Sequence, residues 1–289
     1  MAMSVAWLSP CTTISPYKFN TTPRRFSCCS AISSQADLST STATTSSTIR
    51  PAVILPGLGN NSNDYEKLAL ILKDYGVPTA IAKVSRIDWL RNAAGLLDTN
   101  YWRGTLRPRP VLDWYLKRID EAISQAKELA QGGNGTLSFI GHSAGGWLAR
   151  VYLQEFGSSD ISLLLTLGTP HQYIQGSRFF DSSSTYSSEV MGDVEEPMTE
   201  VAAVSNTNAE TLTGSTFRTR FVGQGYKQVC GQADVWGDGV VPEVSAHLKG
   251  ALNVTLDGVY HSPVGSDDAT RPWYGSPAVV EHWIRHLLV

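Results

Sequence analysis

Hydrophobic residues along the chain alternate between short continuous runs and longer stretches with helical spacing. The runs at 52–55, 137–140 and 161–167 are mostly apolar and are bounded by Gly, Pro or polar residues. Runs of this kind are typical of strands buried on both faces of a parallel sheet. The full set of predicted strands is 52–55, 78–84, 137–140, 161–167, 218–223 and 252–256.

Helical patterns fill the stretches between these runs. The strongest covers 112–130, where apolar residues recur every three or four positions and form one face of a helix. The predicted helices run from a cap at Asn63 or Asp64 through Tyr75, over 112–130, from Ser143 to about Phe156, and onward from Ser276-Pro277. Strands that alternate with amphipathic helices predict an α/β fold, with a mostly parallel sheet and helices on both faces.

Two stretches exceed ordinary connections and are interpreted as lid-like insertions. The first covers about 85–110 and is rich in Trp, Arg and Pro, whereas the second covers 172–214 and is Ser-rich and acidic. Aromatic and methionine side chains of the second insertion either form an apolar lid or pack on the domain as a surface loop. The first insertion either walls the pocket or exposes its arginines to solvent.

The first 49 residues differ in composition from the rest. Twenty are Ser or Thr, three are basic, and only Asp37 is acidic. They lack the apolar core of a secretory signal and are typical of an organelle transit peptide. The Met-Ala opening and low arginine content favour a plastid. We therefore expect 1–49 to be a disordered chloroplast transit peptide and 50–289 to be the folded domain. The alternative is a disordered tail without a targeting role.

Removing that segment changes the charge and the cysteine count. The remaining chain has 20 basic and 25 acidic residues, and Cys230 is the one cysteine left of four. An internal disulfide is then excluded, which agrees with a reducing compartment such as a plastid stroma. The sequence contains no basic cluster that indicates nucleic acid, no 18-residue apolar run that indicates a transmembrane helix, and no Cys/His cluster that indicates a metal.

The clearest chemical motif is Gly141-His142-Ser143-Ala144-Gly145-Gly146, which fits G-x-S-x-G. It follows the predicted strand 137–140 and opens a predicted helix, as this motif requires. The small residues two positions either side of the serine leave room for a strained turn. The turn also aims the start of a helix at developing negative charge. We predict Ser143 as a nucleophile and the Ala144 N–H as an oxyanion donor. The alternative is a Gly-rich turn with a structural serine.

The chain resembles the α/β-hydrolase superfamily, and more narrowly the lipase-like branch that includes PGAP1-type esterases and plant plastid homologues. The resemblance covers about residues 51–289. It is carried by Leu55-Pro56-Gly57-Leu58-Gly59, the motif at 141–146, Leu167-Gly168-Thr169-Pro170-His171, Gly237-Asp238-Gly239-Val240-Val241-Pro242, and the late His261. It implies the α/β-hydrolase fold and a triad in the chain order Ser, Asp or Glu, His.

The resemblance also implies an acid and a second oxyanion donor. Asp238 stands where related lipases present their acid, and Asp234 is the nearest alternative. The loop after the first strand implies the N–H of Leu58 as the second donor. Pro56 departs from the His-Gly turn that is common there, but it leaves this N–H in place.

The base is expected to follow the acid. His261 lies between the predicted strand 252–256 and the last helix, which is where the fold places its base, and His247 is the alternative. Of the other histidines, His142 adjoins the nucleophile and points wrongly for catalysis, His171 lies in a loop near the site, and His282 and His286 are surface residues of the last helix.

These residues predict a lipase- or esterase-like serine hydrolase that uses no cofactor and no metal. Its expected partner is a small-molecule or lipid ester, in the plastid a glycerolipid or an isoprenoid or pigment ester. Peripheral contact with a lipid surface is compatible with this, and the sequence leaves the oligomeric state open. Two other classes fit the same residues: an acyltransferase or other non-hydrolytic enzyme, and a ligand-binding receptor that keeps the fold.

Overall fold

The strands and helices belong to a computed structural model that describes residues 2–7, 50–100, 106–130, 135–171 and 235–288. These residues all belong to one unit, Met1–Pro10 with Ile49–Val289. The predicted strand at 218–223, the insertion 172–214 and Asp234 lie outside the described residues.

Six strands in the described part of the chain form one sheet. They are β1 (Ala2–Trp7), β2 (Ala52–Leu55), β3 (Thr79–Ile81), β4 (Leu137–His142), β5 (Ile161–Leu167) and β6 (Leu252–Thr255). Their order across the sheet is β3-β2-β4-β5-β1-β6. The first four neighbours pair in parallel, and β1 runs antiparallel to both β5 and β6.

Helices lie between the strands along the described part of the chain and after β6. They are α1 (Glu66–Asp74), α2 (Asp113–Leu129), α3 (Ala144–Phe156), α4 (Glu243–Ala246) and α5 (Pro277–Trp283), with 3-10 helices at Ser62–Tyr65, Asp88–Leu97 and Ile284–His286. The predicted cap at Asn63 or Asp64 is wrong. Asn61 caps the 3-10 helix that leads into α1, because its side chain accepts from the Asp64 N–H while the Asp64 side chain accepts from the Asn61 N–H.

The hydrophobic core has two layers, one on each face of the sheet. Alternate residues of β2 enter opposite layers: Ala52 and Ile54 pack with α1 and α5, whereas Val53 and Leu55 pack with α2 and α3. Both layers are built from side chains that are almost fully buried. The prediction of an α/β fold with a mostly parallel sheet and helices on both faces is therefore confirmed.

The strand predictions that fall within the described residues are confirmed with changes at their ends. β2 and β5 have the predicted bounds, β4 continues to His142, and β3 covers only Thr79–Ile81 of the predicted 78–84. β4 is longer because it pairs with β5 up to the residue before the serine, where His142 lies opposite Leu167. The serine motif therefore begins inside the strand.

The expected disorder of residues 1–49 does not hold at Ala2–Trp7, which forms β1. Met3–Trp7 pairs with Leu163–Leu167, and Ala2–Val5 pairs with Leu252–Thr255. Main-chain hydrogen bonds between strands require no particular side-chain pattern, so the Ser/Thr-rich composition around this run gave no sign of it. The assignment of 1–49 as a transit peptide stays a prediction.

The first insertion packs on the domain through Trp89. This side chain is buried, its Nε1–H donates to the Asn60 carbonyl at 2.9 Å, and its ring contacts those of Trp114 and Tyr115. The arginines nearby lie in solvent-exposed ion pairs, Arg86–Asp64 and Arg91–Asp88. These contacts favour the second alternative for this insertion, in which its arginines are exposed to solvent.

Candidate active site

Ser143 lies at the turn between β4 and α3. Its backbone angles are φ 52° and ψ −125°, and it is the only non-glycine residue with positive φ among those described. Such a conformation costs about 1–3 kcal/mol and persists only where the surrounding structure fixes it. Residues held in this way cluster at active sites.

Close approach of the backbone explains the glycines around the turn. A Cβ on Gly141 would lie 2.3 Å from Gly146 Cα, and one on Gly145 would lie 2.1 Å from the Leu55 carbonyl oxygen. Neither distance is sterically allowed. The Thr169 hydroxyl donates to the Ser143 carbonyl at 2.9 Å and so ties the turn to the loop after β5.

His261 lies beside the Ser143 side chain. Its Nε2 is 2.9 Å from Ser143 Oγ, and its Nδ1 hydrogen-bonds to Asp238 Oδ2. Asp238 and His261 are both buried. Since a carboxylate only accepts, Nδ1 carries the proton and Nε2 is left to accept from the serine hydroxyl. The structure thus brings together the three residues predicted as nucleophile, acid and base.

The Asp238 carboxylate is held by the turn that follows it. Its Oδ1 accepts from the Val240 N–H at 2.7 Å and from the Val241 N–H at 2.5 Å, which leaves Oδ2 for His261. The His261 N–H donates to the Asp238 carbonyl at 3.2 Å. Backbone donors to a carboxylate are strong, so the Gly-Val-Val-Pro turn fixes the acid toward the imidazole.

The two predicted oxyanion donors belong to segments next to Ser143: Ala144 follows it in the chain, and a Cβ on Gly57, the residue before Leu58, would lie 2.9 Å from Ser143 Cβ. Ala144 is the first residue of α3, and N–H groups in the first turn of a helix have no partner within it. The Leu58 N–H makes no hydrogen bond with any other described residue. Both groups are therefore available to a ligand.

Two buried tyrosines hold the peptide before Leu58. The Tyr115 hydroxyl donates to the Pro56 carbonyl at 2.7 Å, and the Gly57 N–H donates to the Tyr65 hydroxyl at 2.9 Å. Sequence reasoning assigned neither tyrosine a role in the site. The available signal was the choice of Tyr over Phe, because a buried tyrosine hydroxyl usually has a hydrogen-bond partner.

His142 is the other residue whose part in the site was missed. It is buried, its Nδ1 is 2.7 Å from the Tyr65 hydroxyl, and its Nε2 is 2.9 Å from the His261 carbonyl. Burial, and secondarily the proximity of His261, lowers the pKa of His142 well below its ordinary value. His142 is therefore neutral, and it contacts the main chain of His261.

Both ring nitrogens of His171 make hydrogen bonds to residues outside the triad. Its Nδ1 accepts from Arg150 at 3.2 Å, and its Nε2 lies 2.9 Å from the Thr166 hydroxyl. Burial and then the charge of Arg150 lower the pKa of His171 well below its usual range. Burial also lowers the pKa of Arg150 to about 10. The arrangement anchors the loop after β5.

The alternative base, His247, pairs with Glu243 rather than with Ser143. His247 Nε2 lies 3.6 Å from Glu243 Oε1, one turn away along the chain. Asp234 lies outside the described residues. Within the described ranges there is no group of three or more His, Cys, Asp and Glu side chains arranged to hold a metal. None of their helices has the length and apolar character that crossing a membrane requires.

A parallel sheet with a serine at its strained strand-to-helix turn, next to a buried His–Asp pair, is the arrangement of the α/β-hydrolase fold. Residues 98–213 match the family described as PGAP1-like alpha/beta domain, so this part of the chain is similar to a lipase-like α/β-hydrolase family. The match includes β4, Ser143 and α3, whereas Asp238 and His261 lie beyond it. No curated protein matches the chain.

Proposed function

We propose that the protein is a serine carboxylic-ester hydrolase that forms an acyl-enzyme on Ser143. The observation that carries the proposal is the 2.9 Å contact between Ser143 Oγ and His261 Nε2, with Asp238 on the other ring nitrogen. Hydroxyls are weak nucleophiles, and an oriented imidazole removes their proton as they attack.

In the acylation step, His261 Nε2 takes the Ser143 proton while Oγ attacks the ester carbonyl. The oxyanion that forms accepts from the N–H groups of Leu58 and Ala144, and Asp238 stabilises the imidazolium. His261 then protonates the leaving alcohol, and the acyl group stays on Ser143 as an ester.

In the deacylation step, a water molecule takes the place of the alcohol. His261 removes its proton, the hydroxide attacks the acyl carbonyl, and the same two N–H groups hold the second oxyanion. The proton returns to Ser143 Oγ as the carboxylic acid leaves. The free enzyme is thereby restored without any added cofactor.

We propose that the substrates are hydrophobic esters, including lipids. Exposed apolar side chains lie at or close in sequence to three of the site residues: Leu58 is 63% exposed, Val240 lies two residues after Asp238 and is 53% exposed, and Val264 lies three residues after His261 and is 50% exposed. Apolar groups left in water near a polar site favour contact with an acyl chain or a lipid surface.

We further propose that residues 1–49 direct the protein to a plastid. Removal of that segment would also remove β1, so a chain that begins at residue 50 must fold and react with a serine probe. Fusion of 1–49 to a fluorescent protein tests the targeting, and reactivity of the 50–289 chain tests whether the segment is dispensable. Cytosolic fluorescence of the fusion, or an unfolded 50–289 chain, would overturn this part.

A fluorophosphonate probe tests the nucleophile directly. Wild type should be labelled, and Ser143→Ala should not. Equal labelling of the two proteins would rule out Ser143. Hydrolysis of p-nitrophenyl esters of increasing chain length then measures the apolar preference, and added alcohol acceptors distinguish hydrolysis from acyl transfer.

A further inference from the structure

A chain of hydrogen bonds joins the loop of the oxyanion donor to the loop of the base. The Gly57 N–H meets the Tyr65 hydroxyl at 2.9 Å, that hydroxyl meets His142 Nδ1 at 2.7 Å, and His142 Nε2 meets the His261 carbonyl at 2.9 Å. These hydrogen bonds run through His142, the residue immediately before Ser143. They therefore connect three segments that are distant in sequence.

The direction of each bond in this chain is fixed. The His261 carbonyl only accepts, so His142 Nε2 carries the proton and Nδ1 accepts from the Tyr65 hydroxyl. The Tyr65 oxygen in turn accepts from the Gly57 N–H and from Asn60 Nδ2 at 2.8 Å. Every polar atom of this chain is thus used, which makes it rigid.

The surroundings leave the two rings no room to move. Tyr65 and His142 are almost fully buried, and both pack against the Trp273 ring at a centroid distance of 5.7 Å. A Cβ on Gly57 would lie 2.9 Å from His142 Nδ1, so the oxyanion loop lies directly against the imidazole.

We propose that Tyr65 and His142 are positioning residues that set the distance between the Leu58 N–H and the His261 imidazole. The inference rests on the proposed serine hydrolase. Both groups must act on the same tetrahedral intermediate. The Leu58 N–H donates to its oxyanion, and the His261 imidazole exchanges protons with the nucleophile and the leaving group. An error of about 1 Å in such an arrangement costs on the order of 100-fold in rate.

Three variants test this role against a matched control. Tyr65→Phe removes the hydroxyl and keeps the ring. His142→Leu removes both ring nitrogens, whereas His142→Gln keeps an N–H donor that can reach the His261 carbonyl. Tyr152→Phe is the control, because Tyr152 is also buried and donates to Asp120 at 2.5 Å, away from this chain.

We expect kcat on a p-nitrophenyl ester to fall by about 10- to 100-fold in Tyr65→Phe and His142→Leu, with KM within about threefold of wild type. His142→Gln should recover most of the loss, and Tyr152→Phe should keep the wild-type kcat. Thermal unfolding of each protein separates this effect from loss of folded material.

A merely structural role would give a different pattern. The positioning role is wrong if wild type is active and Tyr65→Phe matches it in kcat, if His142→Gln is no better than His142→Leu, or if activity falls only in proportion to folded protein. A wild type that neither hydrolyses esters nor takes up the fluorophosphonate overturns the proposed function as well.

Discussion

The serine and its two partners lie in regions that are built differently. The elbow region, residues 52–74 and 137–171, holds Ser143 at the end of parallel strands that are almost wholly buried. The late region, residues 235–276, holds Asp238 and His261 on loops around β6, whose residues are only partly buried or exposed. Steric exclusion fixes the first region, and directional hydrogen bonds fix the second.

The two regions therefore illustrate two ways of holding a reactive group: close packing and hydrogen bonding. Close packing tolerates almost no added volume, so one extra carbon at the turn moves the backbone itself. A hydrogen-bonded loop accepts small changes of shape but depends on which atom donates and which accepts. Substitutions that alter volume should therefore damage the elbow region most, and substitutions that alter donors should damage the late region most.

The largest expected effect is on catalysis by the late region. In Asp238→Asn the new amide keeps an oxygen for Val240 and Val241 but turns an NH₂ group toward His261. The imidazole must then accept at Nδ1 and carry its proton at Nε2, where it cannot remove the serine proton. We expect kcat to fall by about 10³- to 10⁴-fold with little change in thermal stability.

The control for this variant is Asp257→Asn, which makes the same exchange at an exposed position of the same region. Steady-state kinetics and thermal unfolding on both proteins give the comparison. If Asp238→Asn keeps more than a tenth of the wild-type kcat, Asp238 does not serve as the acid.

The second largest expected effect is a loss of stability caused by a substitution in the elbow region. A Gly145→Ala substitution places its Cβ 2.1 Å from the Leu55 carbonyl oxygen, so β2 or α3 must shift. We expect a loss of about 3 kcal/mol or more in the free energy of unfolding, measured with urea. Gly135→Ala is the control, since a Cβ there meets no other atom within 4 Å. Similar losses in the two variants would contradict the steric account.

The difference between the two regions also explains which parts of the site could be predicted from the sequence. Ser143, its two flanking glycines, and the strand and helix around them form one local pattern, and the structure has them at those positions. A turn that only small residues permit leaves its signature within a few positions of the chain. The sequence could therefore predict the nucleophile turn from the residues alone.

Contacts between distant segments leave no such signature. Tyr65 and His142 are 77 residues apart, and His142 and His261 are 119 apart, yet each pair shares one hydrogen bond. Asp238 and His261 were predicted only through the resemblance to lipases. The backbone-only pairing of Ala2–Trp7 was missed for a related reason, since it depends on where two other strands end up.

The third effect is a dependence of stability on pH. Burial holds the pKa of His142 and of His171 well below the unfolded value near 6.5, so the unfolded chain binds more protons below that pH. The free energy of unfolding should therefore fall as pH decreases below about 6.5. Each neutral histidine adds a slope that approaches about 1.4 kcal/mol per pH unit.

His171→Gln isolates one of these contributions, because the His171 side chain bonds to Arg150 and Thr166 of the elbow region, whereas the His142 side chain also bonds to His261 of the late region. Urea unfolding at pH 7.5, 6.5 and 5.5 should show a smaller slope below pH 6.5 than in wild type, by up to about 1.4 kcal/mol per pH unit. His282→Gln, at an exposed position, should keep the wild-type slope. An unchanged slope in His171→Gln would show that His171 titrates normally.

The smallest effect concerns a surface contact between the regions. Lys67 on α1 lies 2.6 Å from Asp268, a residue of the late region, and both side chains are about half exposed. Exposed ion pairs contribute less than about 1 kcal/mol, and salt screens them. Lys67→Met should therefore cost no more than Lys127→Met, which breaks the equally exposed 2.8 Å pair with Asp160. Neither variant should alter kcat, and both losses should shrink in 1 M salt. A lower kcat in Lys67→Met would contradict this expectation. It would indicate that the Lys67–Asp268 pair, like Tyr65 and His142, helps to keep the two regions in their relative positions.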